Sequence, residues 1–432
     1  MKRLVSNQIS PNFRFLDSLH AAGQLFQWRA KTVDFEPFFQ TPNYRLTNAA
    51  RSALGILIDT LKLPKEKKIG IPAYICAVVA TPFLERGYRI QWIDTDKNGL
   101  IDPYDFEKKA DHLSLVVVPH IWGQYAPREK IYTTAKQKNI FVIEDCAHLW
   151  DTDLSHCDAK ILSFGREKVF SCVSGGALLW REELAFSEKL HSAKLKPPSP
   201  WWTIRHALQP LWFSLALPFW HVGSIGKVFV WSLRKLNILP AAVTQKEKKG
   251  HEDFPICSMP RSMQYILVHQ LDRAAKIQSH RQEIASAWKH VLENLFPKSQ
   301  IVIPENALRV ILRISEAGEV KRKAKALGFY LRDWDGHPIA PEGIDRGRFG
   351  YHTGQCPNAE DFNKHSITFP TNIRTHLSDV RRFETMWKIL YSGKKLLSSR
   401  GEPMPVVFPT AFLKTNSTGK KVFDGVKMKK GK

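Results

Sequence analysis

From Leu46 to Trp180 short apolar runs alternate with amphipathic ones. The stretch "LTNAARSALGILIDTL" predicts a helix entered through Thr47 or Asn48, both good N-cap residues. "KKIGIPAY" predicts a short strand ended by Pro72, and "AVVATPFLERG" a helix closed by Gly87. "YRIQWID" and "LSLVVVPH" read as strands, "REKIYTTAKQKN" as a helix, then "IFVIEDC", "AKILSFG" and "GALLW" as strands. Strands that are apolar on both faces and separated by helices imply a mostly parallel sheet covered on both sides. The fold class expected is therefore α/β. Such sheets bind ligands at the carboxyl ends of their strands, where Asp145 and Ser163 fall.

After this region the pattern changes. Residues 197–250 form a hydrophobic segment that holds five of the chain's thirteen tryptophans. No formal charge lies between Arg205 and Lys227, close to the length of a membrane span, but Pro210 and Pro218 interrupt the run. Basic residues (Arg205, Lys227, Arg234, Lys235) flank its apolar parts, as suits a membrane interface. Three forms compete: a true span, helices lying in the membrane plane, or a surface buried against a protein. A single span would put the two halves of the chain on opposite sides of a membrane. Peripheral contact through 197–250 is the expectation. "SMPRSMQYILVHQLDRAAKIQSHRQEIASAWKHVLENL" then predicts one long amphipathic helix leading into a smaller α+β domain. The expected divisions are an N-terminal segment 1–45, a large domain 46–196, the insert 197–250, a linking helix and small domain 251–392, and a basic tail 393–432 without order.

Composition narrows the partners. The chain of 432 residues carries a formal charge of +23, which favours anionic ligands or surfaces. The lysines are spread along the chain and match no nucleic-acid motif, so nucleic acid is not an expected partner. No C-x-x-C pair occurs among the six cysteines, and no metal site is expected. The N-terminus has no apolar stretch long enough for a signal peptide. A cytoplasmic protein with reduced thiols is expected, peripheral at the inner face of a membrane.

Candidate chemistry centres on "SFGREKVFSCVSGGALL", residues 163–179. A lysine that forms a Schiff base must lose its proton, which burial or a nearby cation promotes. Pyridoxal 5'-phosphate (PLP), the commonest partner of such a lysine, needs a carboxylate at its ring nitrogen. It also needs a phosphate cradle of hydroxyls and backbone N–H groups at a helix N-terminus. Lys168, Asp145, Ser163 and the helix start at "NAARSAL" offer these parts in order.

The ordered set of segments resembles the DegT/DnrJ/EryC1/StrS family, sugar aminotransferases of PLP fold type I. "TNAARSAL" stands where that family has its Gly-Thr-x-Ala-Leu phosphate turn, and "IPAYICAVVAT" resembles its Pro-x-x-Thr-aromatic stretch. "VPHIWGQ" resembles a His-x-x-Gly turn, and "VIEDCAHLW" the Glu-Asp-x-Ala-His/Gln motif. "SFGREKVFSCVSGG" matches Ser-Phe-x-x-x-Lys followed by Gly-Gly, and "RSMQYILVHQLDRAAKIQSHR" resembles the helix entering the small domain. The resemblance covers roughly 46–180 and 258–390, and leaves out the insert and the tail.

The resemblance implies a PLP fold type I large domain and a smaller C-terminal domain. It implies that Lys168 holds PLP and moves the substrate proton, and that Asp145 pairs with the pyridinium nitrogen. It also implies that His148 lies against the ring or its phenolic oxygen, and that Ser163 with Ala50, Arg51 and Ser52 binds the phosphate. Tyr74 and Cys76 fall near the ring-stacking position. The implied reaction moves an amino group from glutamate or glutamine to a nucleotide-linked keto sugar, in a homodimer, for cell-surface glycan synthesis. Three departures stand out. Ala50-Arg51 replaces Gly-Thr, Cys76 replaces an aromatic residue, and Met259-Pro260 precedes Arg261 where many members place an asparagine. Arg51 is expected to supply the missing phosphate contact. A different PLP outcome, such as dehydration or transamination of a lipid-linked substrate, and a non-catalytic membrane scaffold on the same fold stay open as alternatives.

Overall fold

The computed structural model describes residues 4–7, 19, 23 and 33–391, except 221, 223, 298, 332, 333 and 335, together with 413–415 and 421–423. The tail expected to lack order lies outside the described residues, apart from a pairing of Leu413–Thr415 with Lys421–Phe423. Most of the N-terminal segment before Val33 lies outside them too.

A seven-stranded sheet organises the large domain. In chain order its strands are β1 (Tyr44–Thr47), β2 (Lys68–Pro72), β3 (Ile90–Ile93), β4 (Leu113–Pro119), β5 (Phe141–Cys146), β6 (Ala159–Ser163) and β7 (Gly176–Trp180). Their spatial order is β1-β7-β6-β5-β4-β2-β3. Only β7 runs against its neighbours, while the pairs β6–β5, β5–β4, β4–β2 and β2–β3 are parallel. Helices α1 (Ala50–Leu61), α2 (Ala77–Glu85), α3 (Pro103–Lys109) and α4 (Arg128–Gln137) connect or cover the strands. On β4, Leu115 and Val117 enter one core with Leu57 and Ile143, while Val116 and Val118 enter another with Ile131 and Val142. Burial of both faces explains why the strand reads as an unbroken apolar run.

The start of α1 departs from the sequence expectation. The helix opens at Ala50 behind Ala49, with no side-chain cap. Thr47 instead donates to the Ala49 carbonyl at 2.8 Å. The Asn48 amide donates to Pro255 at 2.9 Å, and its Oδ1 accepts the Cys257 N–H at 3.2 Å. Thr47 is spent on a local carbonyl and Asn48 on tertiary contacts, so the helix start is left open. The expected single long helix is also two, α9 (Arg261–Leu271) and α10 (Ala274–Leu295). Met263, Ile266 and Leu267 of α9 belong to the core beside β6 and β7, whereas Ile284, Trp288 and Leu292 of α10 belong to the small domain. Serving two cores requires a change of direction, taken at Asp272–Arg273.

The small domain has an antiparallel sheet, β8 (Gln300–Val302), β9 (Arg309–Arg313) and β10 (Ser366–Pro370), in that order. Its core joins Trp288 of α10, Val320 and Ala324 of α11 (Ala317–Ala326), and Phe383 of α12 (Leu377–Tyr391).

The insert folds as short helices: α5 (Pro200–Ala207), α6 (Gln209–Ala216), α7 (Ile225–Lys235) and α8 (Gln245–Lys248). Pro200, Pro210 and Pro218 open helical turns rather than break them. Gly226 lets α7 close on α6, because a Cβ there would come within 2.2 Å of the Ala216 carbonyl oxygen. Among the described residues, no helix is long and apolar enough to cross a membrane.

A charge cluster lies buried beneath β5 and β6. Lys160 Nζ sits 2.8 Å from Glu144 Oε2 and 2.9 Å from Asp151 Oδ2, with Lys160 and Glu144 fully buried. His120 Nε2 lies 3.4 Å from the same Glu144 oxygen. Burial pushes the Glu144 carboxyl up, but His120 and Lys160 outweigh it and hold the group down at about 2. His120, Glu144 and Cys146 bring potential ligand atoms within 4.8 Å of one another, with the Lys160 ammonium serving as the cation against Glu144.

Two stability outcomes follow from this packing. A Cβ on Gly176 would lie 2.3 Å from the Ala50 nitrogen, so Gly176→Ala must push α1 off β7. It should cost about 1–3 kcal/mol of stability, read as a lower denaturation midpoint. Glu144 has a folded pKa below its ordinary 4.5, so its contribution is complete above that value and is lost as pH falls towards about 2. Glu144→Gln should flatten that part of an acid-unfolding curve. Lys160→Met, which strands the buried carboxylate, should cost about 3–5 kcal/mol at neutral pH.

Candidate active site

The carboxyl ends of β5 and β6 converge below the open start of α1. Asp145 pairs in register with Pro119 and Ile161, and Ser163 is the last residue of β6. The chain then turns through Gly165, whose carbonyl accepts the Lys168 N–H at 3.2 Å. A Cβ on Gly165 would be 3.7 Å from both Lys168 Cγ and Ser163 Oγ. Lys168 and Ser163 are thus neighbours, as their spacing in the sequence predicts.

Burial pushes the Lys168 amine below the ordinary lysine range. Asp145, Cys76 and Glu167 oppose that shift, and the Arg309 cation adds to it. Burial pushes the Asp145 carboxyl up, against Lys168, the Ala147 N–H and His120. The Ala147 N–H donates to Asp145 Oδ1 at 2.9 Å. The two groups therefore lie within electrostatic reach of each other at the ends of adjacent strands.

His148 is buried, and burial, then Lys168 and Arg309, push its imidazole well below its usual range. The ring is neutral at pH 7. Trp122 stacks on it with centroids 4.6 Å apart and planes 9° from parallel. The Trp122 N–H donates to His148 Nδ1 at 3.3 Å. Trp122 adopts φ 57°, a left-handed conformation that is costly for an aromatic residue and typical of functional sites. The Arg309 guanidinium also lies over the indole of Trp122, 4.6 Å from its centroid. The sequence motif "VPHIWGQ" contained Trp122, but nothing in its pattern marked the indole. Arg309 looks like one more basic residue on β9; only the packing of the small domain turns it towards Lys168.

Of the two stacking candidates, Cys76 is the one whose thiol feels Lys168 and Arg51, while burial raises its pKa. Tyr74 is buried in an aromatic wall. Its hydroxyl accepts the Trp122 Nε1–H at 3.3 Å, and its ring packs on Trp334 and Phe362.

The phosphate candidates divide. Ala50 and Arg51 sit in the first turn of α1, where backbone N–H groups have no carbonyl of their own helix to reach. The Ser52 N–H is taken by the Ala49 carbonyl at 3.0 Å. Its hydroxyl faces Pro255 at 3.5 Å, so Ser52 turns towards the linker. The Arg51 side chain pairs with Glu247 of α8 and donates to the Ala242 carbonyl at 2.8 Å. Its guanidinium packs over Phe254 at 4.6 Å. Glu247 is buried and held by a capping box with Thr244. The insert thus reaches the cradle through a residue that no motif marked.

Comparison with known proteins agrees with this fold. Residues 33–192 match the sequence model of the DegT/DnrJ/EryC1/StrS aminotransferase family. A Micromonospora echinospora protein, named as an L-glutamine:3-amino-2,3-dideoxy-scyllo-inosose aminotransferase, is 29% identical over 106 residues. That stretch is 23% of this chain and 25% of the relative, so the match spans a quarter of the relative's length. Among solved structures, the PLP form of Spr1654 from Streptococcus pneumoniae, named as a sugar aminotransferase, superposes with a TM-score of 0.64 at 15% identity. It covers 88% of this chain and 96% of that one. Helicobacter pylori PseC, an aminotransferase of pseudoaminic acid biosynthesis, gives 0.63 at 15% identity over 89% and 98% of the two chains. These structures share the PLP fold type I architecture of an α/β large domain and a smaller second domain. Over residues 33–192, somewhat more than a third of its length, the chain is thus similar to the DegT/DnrJ/EryC1/StrS aminotransferase family.

Proposed function

We propose that the protein is a PLP-dependent aminotransferase that passes an amino group from glutamate or glutamine to a nucleotide-linked keto sugar. The observation that carries this is the Lys168 amine, depressed by burial and coupled to the Asp145 carboxylate at the carboxyl ends of adjacent strands. The residues present fit the cofactor. When bound, PLP supplies a carbonyl that carries the amino group and a ring that acts as an electron sink. Lys168 Nζ is the amine that would hold it and then move the proton at the substrate carbon. Asp145 would keep a proton on the ring nitrogen, and neutral His148 would lie beside the ring. The N–H groups of Ala50 and Arg51 and the Ser163 hydroxyl would hold the phosphate at the uncapped start of α1.

The strongly basic chain suits a substrate carrying a diphosphate. The enzyme acts as a homodimer in the cytoplasm, peripheral to the inner face of a membrane through residues 197–250, where cell-surface glycans are assembled.

Lys168→Ala should abolish the yellow imine absorbance of the purified protein and lower turnover by at least about 10²–10⁴-fold. A colourless wild-type protein that takes up no added PLP would sink the proposal. The Lys168 amine should react with an amine-directed reagent at a lower pH than an ordinary lysine. Arg309→Ala removes a cation that disfavours its charge, so the reactivity midpoint should move to higher pH. A pH titration of the cofactor-free protein reads both.

A further inference from the structure

We infer that the outer face of α7 is a seat for the surface of an anionic lipid bilayer. This deepens the peripheral contact proposed above and is independent of the reaction. The helix is apolar on two sides. Val230 and Leu233 turn inward to meet Phe213 and Ala216 of α6, and Gly226 allows the close approach. Ile225, Val228 and Trp231, three residues apart, point the other way, followed by Leu236. Their exposures are 56%, 58%, 60% and 69%. A soluble helix normally covers or replaces such a second apolar face.

Charge selects the occupant. From Lys189 to Lys246 the chain contains no aspartate or glutamate. Lys227, Arg234 and Lys235 are exposed on α7 itself, and Lys235 Nζ lies 5.7 Å from the Trp231 ring centroid. Arg205 of α5 donates to Asn237 at 2.7 Å, which brings a further cation and the exposed Trp201 beside the end of α7. A two-fold interface between copies sets one patch against itself, so these cations would face cations with no local carboxylate to offset them. A bilayer of anionic lipid offers the complement: headgroups for the lysines and arginines, and an interface for tryptophan and aliphatic side chains. The seat is fixed to the rest of the molecule. The Arg166 guanidinium, two residues before Lys168, packs over Phe213 of α6 at 5.4 Å, and Arg374 donates to Ser214 at 3.3 Å. A docked α7 therefore brings the Lys168 loop close to the membrane surface.

Full-length protein should float with vesicles of phosphatidylglycerol and phosphatidylcholine, and much less with phosphatidylcholine alone. Raising the salt should weaken the association. Lys227→Gln with Lys235→Gln should weaken it by about fivefold per charge removed. Val228→Ser with Trp231→Ser should abolish flotation while the melting temperature stays unchanged. Wild-type protein that sediments without the anionic vesicles overturns the inference. So does a Val228→Ser, Trp231→Ser variant that still floats, or one that halves the solution mass while vesicles have no effect on wild type, since the face would then join two copies. Lys168→Ala should float like wild type, so a failure of the aminotransferase proposal leaves this outcome unchanged.

Discussion

A buried amine tends to lose its proton and a buried carboxylate to gain one, unless each lies within reach of the other. Lys168 and Asp145 are in that position, and much of the large domain serves to keep them there. Asp145 ends a parallel strand flanked on both sides, so its backbone is fixed by two ladders. Lys168 follows the next strand by a short turn. Removing one member would leave the other buried beside a site that also gathers Arg309 and His148.

The open helix start above the pair depends on what is missing. Gly176 has no Cβ, so β7 can press against the first residue of α1. Ala49 gives no side-chain cap, so no side chain covers the N–H groups of Ala50 and Arg51 at the helix start. Asn48, which could have capped the helix, instead ties it to the chain beyond the insert, and Thr47 bonds to the carbonyls of Ala49 and Gly176. A good cap would stabilise the helix and block an anion from its end.

The insert is joined to this machinery at more than one point. Glu247 draws the Arg51 side chain away from the start of α1, and Phe213 lies under Arg166 in the lysine loop. Its outer side carries cations and apolar residues without any acid. One face thus supports the site while the other is free to meet a surface.

The sequence by itself determined the alternation of strands and helices, the parallel sheet and the positions of Asp145, Ser163 and Lys168. These were legible because the period of apolar residues and the spacing of short motifs are local properties of the chain. The tertiary structure decided the rest. It broke the linking helix because its two halves belong to different cores, and it gave Arg51 to Glu247 rather than leaving it at the cradle. It stacked Trp122 on His148 and turned Arg309 towards Lys168. Each of these joins residues far apart in the chain, and their affinity for one another depends on burial and direction that no local pattern encodes.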